Sequence, residues 1–417
     1  MPIEIAVHDS ASQPAAADRI GLAKLAKMAF DGVSLEPLRQ DLTDRLASGT
    51  ADAGVGLDLS LIAQLLGQKE IGLLIQNQVL TVHQLFRSPC AVARPRLRVL
   101  ALAAEIDMGG NTPIDFILEG SDIELTTLYV VPGCDVPVPL PEHDVAVVIA
   151  SDSPESSAAL AEIIRLAPKW PRPLVNPPHL IANLDRDKLY RLLQGIEGID
   201  IPPTIPVSRE QLEEVAESKT SLGTAARGTA FPIIVRPRGS HAGRGLAKLT
   251  DAAGMRAYLD DNPQREFFVS RFVDYASADG LFRKYRIVVL DGKTYPCHMA
   301  IADRWDIWYL NAGMSLSEAK RAEEAAFMQT FDDGFAARHR AALSRMIERV
   351  GLDYFLIDCA ENRNGELLIF EADNTAVVHN MDSPQLFPYK PPQMRKIFKA
   401  FAAMLADRAR TSAERAA

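Results

Sequence analysis

Two apolar runs of the 417-residue chain end in carboxylates: Ile357-Asp358, and Leu368-Ile369-Phe370-Glu371-Ala372-Asp373-Asn374. Between them, Asn362-Arg363-Asn364-Gly365 has the composition of a tight turn. Two adjacent strands joined there would place Asp358 across from Glu371. Glu371 and Asp373, two residues apart, share one face of a strand. Acids crowded on one face repel each other unless a cation joins them. Oxygen-only donors select a hard divalent ion, Mg²⁺ or Mn²⁺. Asn374 follows directly, so the third donor stays open between Asp373 and Asn374. A solvated strand edge would carry similar charges, but apolar residues precede both Asp358 and Glu371.

A second constellation is Phe231-Pro-Ile-Ile-Val-Arg-Pro-Arg-Gly-Ser-His-Ala-Gly-Arg-Gly-Leu246. A buried strand would deliver the cation Arg236, followed by a loop carrying Gly239, Ser240, Gly243 and Gly245. Glycines let backbone N–H groups approach phosphate oxygens closely. A guanidinium grips such oxygens in bidentate fashion. A glycine-rich hairpin that binds nothing has the same composition. Further upstream stands Asp185-Arg186-Asp187-Lys188, at a helix start before Gly195 and an extended Ile201-Pro-Pro-Thr-Ile-Pro206 segment. Alone, Lys188 reads as an ordinary surface lysine.

The elements that must position these residues change character twice along the chain. Residues 1–92 read as a helical N-terminal region. Ile71, Leu74, Ile75, Val79, Val82 and Phe86 recur at helical spacing as one apolar face, and glycines around 49–56 break this region in two. Its role is expected to be a cap or a homodimer contact, with substrate delivery as the alternative. Residues 93–183 alternate strands with helices: Arg98-Val-Leu-Ala-Leu, 123–131, 144–150 and 173–176 are strands, and 156–166 is a helix. That alternation argues for a small Rossmann-like, doubly wound parallel sheet. Gly109-Gly110-Asn111-Thr112-Pro113 follows its first strand, as a tight turn or a substrate-contacting loop, without the GxGxxG spacing of a dinucleotide site. Residues 184–417 are α+β. Strands near 231–235, 267–272, 285–290, 354–358 and 367–371 alternate with helices near 251–259, 336–350 and 392–407. The overall class is thus α/β followed by α+β.

The net charge of −9 argues against a nucleic-acid-binding surface. Cys90, Cys134, Cys297 and Cys359 form no CxxC pair and read as reduced thiols. No secretory leader and no membrane-length apolar run is seen, so a cytoplasmic protein is expected.

The three constellations occur in the order, and at about the distances, of one known family. From residue 184 nearly to its end the chain resembles ATP-grasp enzymes. The likeness is to the branch of D-alanine–D-alanine ligase, glutathione synthetase and RimK-type ligases. Lys188 matches the early lysine before "GIPxPxT", here Gly198-Ile-Asp-Ile-Pro-Pro-Thr204. Arg236 matches the strand lysine of "PxxxKPxxGxxGxG". Residues 267–273 match the hinge strand whose backbone meets adenine, which nominates Arg271, Phe272 and Val273. Arg286, in Lys284-Tyr-Arg-Ile-Val-Val, matches the arginine of "DxRxxV". Asp358, Glu371 and Asp373 match the family's Asp and "ExN". Three departures stand out: Arg236 for lysine, Lys284 where many relatives carry an acid, and Asp373 for asparagine.

The resemblance implies an ATP-grasp fold of two α+β subdomains behind the Rossmann-like domain, with ATP and two metal ions between them. It implies that Lys188 and Arg236 hold the α- and β-phosphates and that Asp358, Glu371 and Asp373 hold Mg²⁺. Residues 239–245 would close over the phosphates, and Arg286 would stabilise the transferring phosphoryl group or an acylphosphate. An ATP-dependent carboxylate–amine ligase follows, acting on a small carboxylate and an amine or peptide. The alternatives are an enzyme that stops at phosphoryl transfer and a non-catalytic ATP-binding scaffold. His298, Arg304, Asn311 and His379 are candidate substrate contacts, by bidentate grip of a carboxylate or as bases toward an amine.

Overall fold

The computed structural model describes residues 15–50, 52–240 and 243–416, which form two units. The first takes the described residues up to Ala182, Leu352–Phe355 and the chain from Asp373 onward. The second takes Asn183–Gly351 and Leu356–Ala372.

Strands of the first unit are β1 (Ala17–Asp18), β2 (Leu85–Arg87), β3 (Leu97–Ala104), β4 (Ile123–Val130), β5 (Val145–Val148) and β6 (Leu174–Val175). They form one sheet in the order β1-β2-β4-β3-β5-β6. β3 pairs in parallel with β4 and β5, and β5 with β6. All four residues of β5 are buried, as is usual for strands covered on both faces.

The four strands within residues 93–183, β3 to β6, pair in parallel as expected. The N-terminal region, largely helical as expected, adds β1 and β2 to that sheet, with β2 antiparallel to β4. One expectation about the first unit is corrected. The expected apolar face does not exist as one surface: Ile71, Leu74 and Val82 are exposed, while Phe86 lies fully buried in β2. The helix Lys69–Leu80 instead buries Gly72, Gln76, Val79 and Leu80. Glycine explains the choice of face. A Cβ on Gly72 would stand 2.7 Å from the Ser60 carbonyl oxygen, and one on Gly56 would stand 2.6 Å from Val79 Cγ2. Gly54 and Gly56 therefore break no helix. They sit inside Ala53–Leu65 and let it pack closely against Lys69–Leu80. The C-terminal helix Lys390–Ala416 also belongs to this unit, burying Met394, Ile397, Phe401, Met404 and Leu405 at helical spacing.

Strands of the second unit are β7 (Ile199–Asp200), β8 (Thr204–Ser208), β9 (Ile233–Pro237), β10 (Ala247–Leu249), β11 (Glu266–Arg271), β12 (Phe282–Leu290), β13 (Lys293–Ala302) and most of β14 (Tyr354–Glu361) and β15 (Leu367–Asp373). An antiparallel sheet, β10-β9-β11-β8, packs under the helices Arg209–Ala216 and Ala252–Asp261. Val207, Leu212, Val235, Met255 and Phe267 are part of its core. A second sheet has the order β13-β12-β14-β15-β7. The turn joining β14 to β15 is closed by Gly365 N–H on the Asn362 carbonyl, at 3.0 Å. The chain thus combines an α/β unit, carrying a helix-rich N-terminal region, with an α+β unit.

Candidate functional site

β12 and β14 are neighbours in the larger sheet. Lys284 and Arg286, two apart on β12, both reach Asp358 on β14. Asp358 is 3% exposed as a side chain. Its Oδ1 accepts from Arg286 Nε at 2.7 Å and its Oδ2 from Arg286 Nη2 at 3.0 Å. The Lys284 ammonium stands 2.7 Å from the same Oδ2. Burial opposes ionisation of Asp358, but the charges of Arg286 and Lys284 prevail and hold it well below the usual carboxylate range. The register of β12 and β13 shifts beside Arg286: Arg286 faces His298, and Ile287 faces Pro296. Cys297 is the extra residue of this bulge, which locally twists the strand that carries Arg286.

Glu371, on β15, joins this cluster from the neighbouring strand. It is ion-paired to Arg186, whose second nitrogen donates to the Phe370 carbonyl at 2.9 Å. Burial works against the Glu371 charge, yet Arg186 outweighs it and its pKa is lowered; Asp358, Lys284 and Arg236 also act on it. Arg186 was not among the residues nominated from sequence. It is the first residue of the helix Arg186–Leu193, next to the capping Asp185. Lys188 lies on the same helix, half-buried, two positions further on. Nothing in its sequence context sets it apart from an ordinary helix-start arginine.

Arg236 completes the group from β9, at 9% exposure. Its Nε donates to Ser240 Oγ at 3.1 Å and its Nη2 to the Ser240 carbonyl. Burial first, and Arg186 second, pull its pKa down to about 9, so it remains cationic at neutral pH. The loop after it takes a left-handed backbone at Gly239, Gly243 and Gly245. Gly245 is obligatory twice over: φ is +65°, and a Cβ would meet Pro237 Cδ at 2.6 Å. Its carbonyl accepts from Tyr258 at 2.7 Å, which ties the loop to the small sheet.

The nominated hinge runs out of β11. Arg271 pairs with Asp200, and Phe272 N–H donates to the Pro232 carbonyl at 3.0 Å. The Lys248 ammonium lies 3.6 Å from the centre of the Phe272 ring. Val273, like Phe282, Trp305 and Phe370, packs against the buried cluster of Tyr275, Ala360 and Leu368. Beyond β13, Arg304 pairs with Asp306. Asn311 accepts from Trp308 N–H and donates to the Asp306 carbonyl, each at 3.0 Å. Both side chains therefore shape their own loop. The His298 ring lies 4.7 Å from that of Tyr309.

Asp373, Asn374 and His379 belong to the first unit. Asp373 Oδ1 accepts from Thr375 N–H and hydroxyl at 2.6 and 2.8 Å. Asn374 is fully buried; its amide donates to the Ala150 carbonyl at 2.9 Å, and its Oδ1 has no hydrogen-bond partner among the described residues. Thr112, from the loop after β3, donates to the Asn374 carbonyl at 2.7 Å, and Asn111 bonds both polar groups of the Ala104 backbone. His379 packs near Phe30 and Phe116, and its Nδ1 accepts from Met381 N–H at 3.1 Å.

Within the second unit, Arg186, Arg236, Lys284 and Arg286 meet Asp358 and Glu371. Four cations against two carboxylates leave a positive excess that suits a polyphosphate or an acylphosphate. The same residues do not fit a divalent ion at Asp358, because charged donors already take both its oxygens. Among the described residues no group of three or more His, Cys, Asp and Glu side chains is placed to hold a metal ion. No described helix is long and apolar enough to cross a membrane, and all four cysteines are free thiols.

No family model and no curated protein matches the chain. Among solved structures it is similar to a RimK domain ATP-grasp protein from Sphaerobacter thermophilus, at 18% identity and a TM-score of 0.42, covering 75% of this chain and 99% of that one. It is also similar to the VanG D-Ala:D-Ser ligase from Enterococcus faecalis, at 12% identity and a TM-score of 0.45, covering 75% and 100%. The D-alanine–D-alanine ligase from Coxiella burnetii gives 11% identity and a TM-score of 0.45, covering 76% and 98%.

Proposed function

We propose that the chain is an ATP-grasp enzyme that joins a small carboxylate to an amine through an acylphosphate. The observation that carries this reading is Arg236. A buried guanidinium whose hydrogen bonds go to a neutral serine, with Arg186 nearby, is short of negative charge. The phosphates of a nucleotide supply that charge. Arg236 and Arg186 grip the phosphate chain, and the glycines after β9 bring backbone N–H groups onto it. The backbone of residues 271–273 receives the adenine. Magnesium enters as the complex that ATP forms with it in solution.

The substrate carboxylate attacks the γ-phosphorus, the bond to the β-bridging oxygen breaks, and ADP departs. The acylphosphate keeps its negative charge beside Arg286. The amine then attacks the acyl carbon, phosphate leaves, and the amine's proton passes to solvent or a nearby base. Positioning and charge account for catalysis, so no side-chain nucleophile is required. A second reading, a nucleotide-binding scaffold without turnover, is favoured by one fact: both carboxylates are already ion-paired.

The test is ATP turnover with magnesium against pooled amino acids and small carboxylic acids, following ADP and phosphate separately, with Glu371→Gln as control. ADP and phosphate that need both an acid and an amine, and vanish in the variant, are the expected result. ADP without phosphate would instead mean a stable phosphorylated product. ATP binding without turnover across a broad pool would favour the scaffold.

A further inference from the structure

We infer that the Lys284 ammonium is a built-in cation standing where Asp358 would otherwise hold a divalent ion, so that phosphate binding at this corner needs no metal. The inference rests on the nucleotide-binding reading above and changes what that site requires.

Three observations carry it. First, Asp358 is saturated. Oδ1 faces Arg286 Nε, and Oδ2 faces both Arg286 Nη2 and Lys284 Nζ, all within 2.7–3.0 Å. A divalent ion bound at about 2 Å with near-octahedral geometry would have to expel the ammonium or share its oxygen with it. Second, the ammonium is held in place. Lys284 is two residues from Arg286 on β12, so both side chains leave the same face of the strand toward β14. Its Nζ also stands 5.9 Å from the ring centre of Phe370, directly before Glu371. Third, both carboxylates are answered by side-chain cations without a metal. The cluster carries four cations and two carboxylates, and Glu371 is itself answered by Arg186. A lysine in place of an acid at position 284 moves the local charge by two units, which is the charge of one magnesium ion.

The chemistry follows from these positions. A phosphoryl oxygen arriving at Arg286 meets a guanidinium oriented by Asp358 and an ammonium beside it, both fixed before the ligand enters. Lys284 is thus a positioning and charge-supplying residue whose removal changes what the site needs from solution.

The experiment measures binding of a non-hydrolysable ATP analogue by calorimetry, in EDTA and in excess magnesium, with Mn²⁺ binding to the ligand-free chain followed by EPR. The expected wild-type result is analogue affinity in EDTA within about tenfold of that in magnesium, and no Mn²⁺ bound to the free chain. Lys284→Glu, which sets a second carboxylate beside Asp358, is expected to bind Mn²⁺ without nucleotide and to lose affinity in EDTA by more than about tenfold. Lys284→Arg is expected to restore wild-type behaviour. Mn²⁺ bound to the wild-type free chain, or analogue binding that requires magnesium, overturns the inference and leaves the nucleotide reading standing. Analogue binding absent in both conditions overturns the two together.

Discussion

Replacing Asp358 with Asn removes one buried charge and strands two. Asp358 answers Lys284 and Arg286, whose side chains are each 19% exposed, at 2.7–3.0 Å. At an effective dielectric near 20, each pair of unit charges about 4 Å apart is worth about 4 kcal/mol. Two such pairs give a gross loss of about 8 kcal/mol, offset because the carboxylate no longer has to be desolvated. Breaking a buried pair by removing one partner leaves a net cost of about 3–5 kcal/mol, and that is the expected destabilisation of the larger sheet at neutral pH. The pH dependence has a definite sign. The folded-state pKa of Asp358 is lowered, so its contribution is complete above the unfolded carboxylate value near about 4 and disappears as pH falls through the folded value. The difference between wild type and variant should therefore shrink in acid. A chain of two units need not unfold in one transition, so the assay is native-state hydrogen exchange read on the amides of β12 and β14. Protection unchanged to within about 0.5 kcal/mol at neutral pH would refute the claim that this ion cluster organises the sheet.

Arg236→Met is expected to raise the stability of the ligand-free chain by about 1 kcal/mol while lowering nucleotide affinity at least about tenfold; a thermal melt and calorimetry, with and without nucleotide, check both halves. Arg186→Ala should weaken nucleotide binding by about 1.5–3 kcal/mol through the lost charged hydrogen bonds, and unchanged affinity would remove Arg186 from the site. Gly245→Ala forces a side chain onto a left-handed backbone and against Pro237; a loss of about 1–3 kcal/mol is expected, together with faster proteolysis near residue 245.

The elements that could be read from sequence are those where one local signal dominates. β3, β4 and β5 are runs of apolar residues at the length of a buried strand, and the structure has them within a few residues of where the pattern puts them. Within the region read as helical, the bounds of Ala53–Leu65 are obscured because it is buried nearly all round and carries two glycines. It has no polar face to set a period, and its glycines look like breaks until their neighbours are known. β1 and β2 are two and three residues long, too short for any periodicity, and are made by pairing with each other and β4. In the site, strand alternation sets Lys284 and Arg286 on one face of β12, but their meeting on Asp358 depends on β12 lying next to β14. Arg186 was overlooked because a helix-start arginine has no distinguishing sequence context; only the position of β15 makes it the partner of Glu371.

The cations at 236, 186 and 284 act together when their charges are followed. Arginine at 236 keeps a positive charge but spreads it over a fork that stays charged even when buried, where an ammonium would more readily lose its proton. That suits a position at which burial and Arg186 already depress the pKa. A guanidinium at 186 offers Glu371 and the Phe370 carbonyl separate nitrogens at once, which a lysine with one nitrogen could match only by sharing it. Lysine at 284 adds positive charge beside Asp358. Lys284 and Arg186 thus set fixed positive charge against the two carboxylates, while Arg236 keeps the charge a lysine would carry. Such a site is ordered before the ligand arrives, which lowers the cost of assembling it around a polyphosphate. The consequence for the ligand-free chain is a buried cation at Arg236 without a carboxylate of its own. That is why the same substitution is expected to stabilise the empty protein and weaken its hold on a nucleotide.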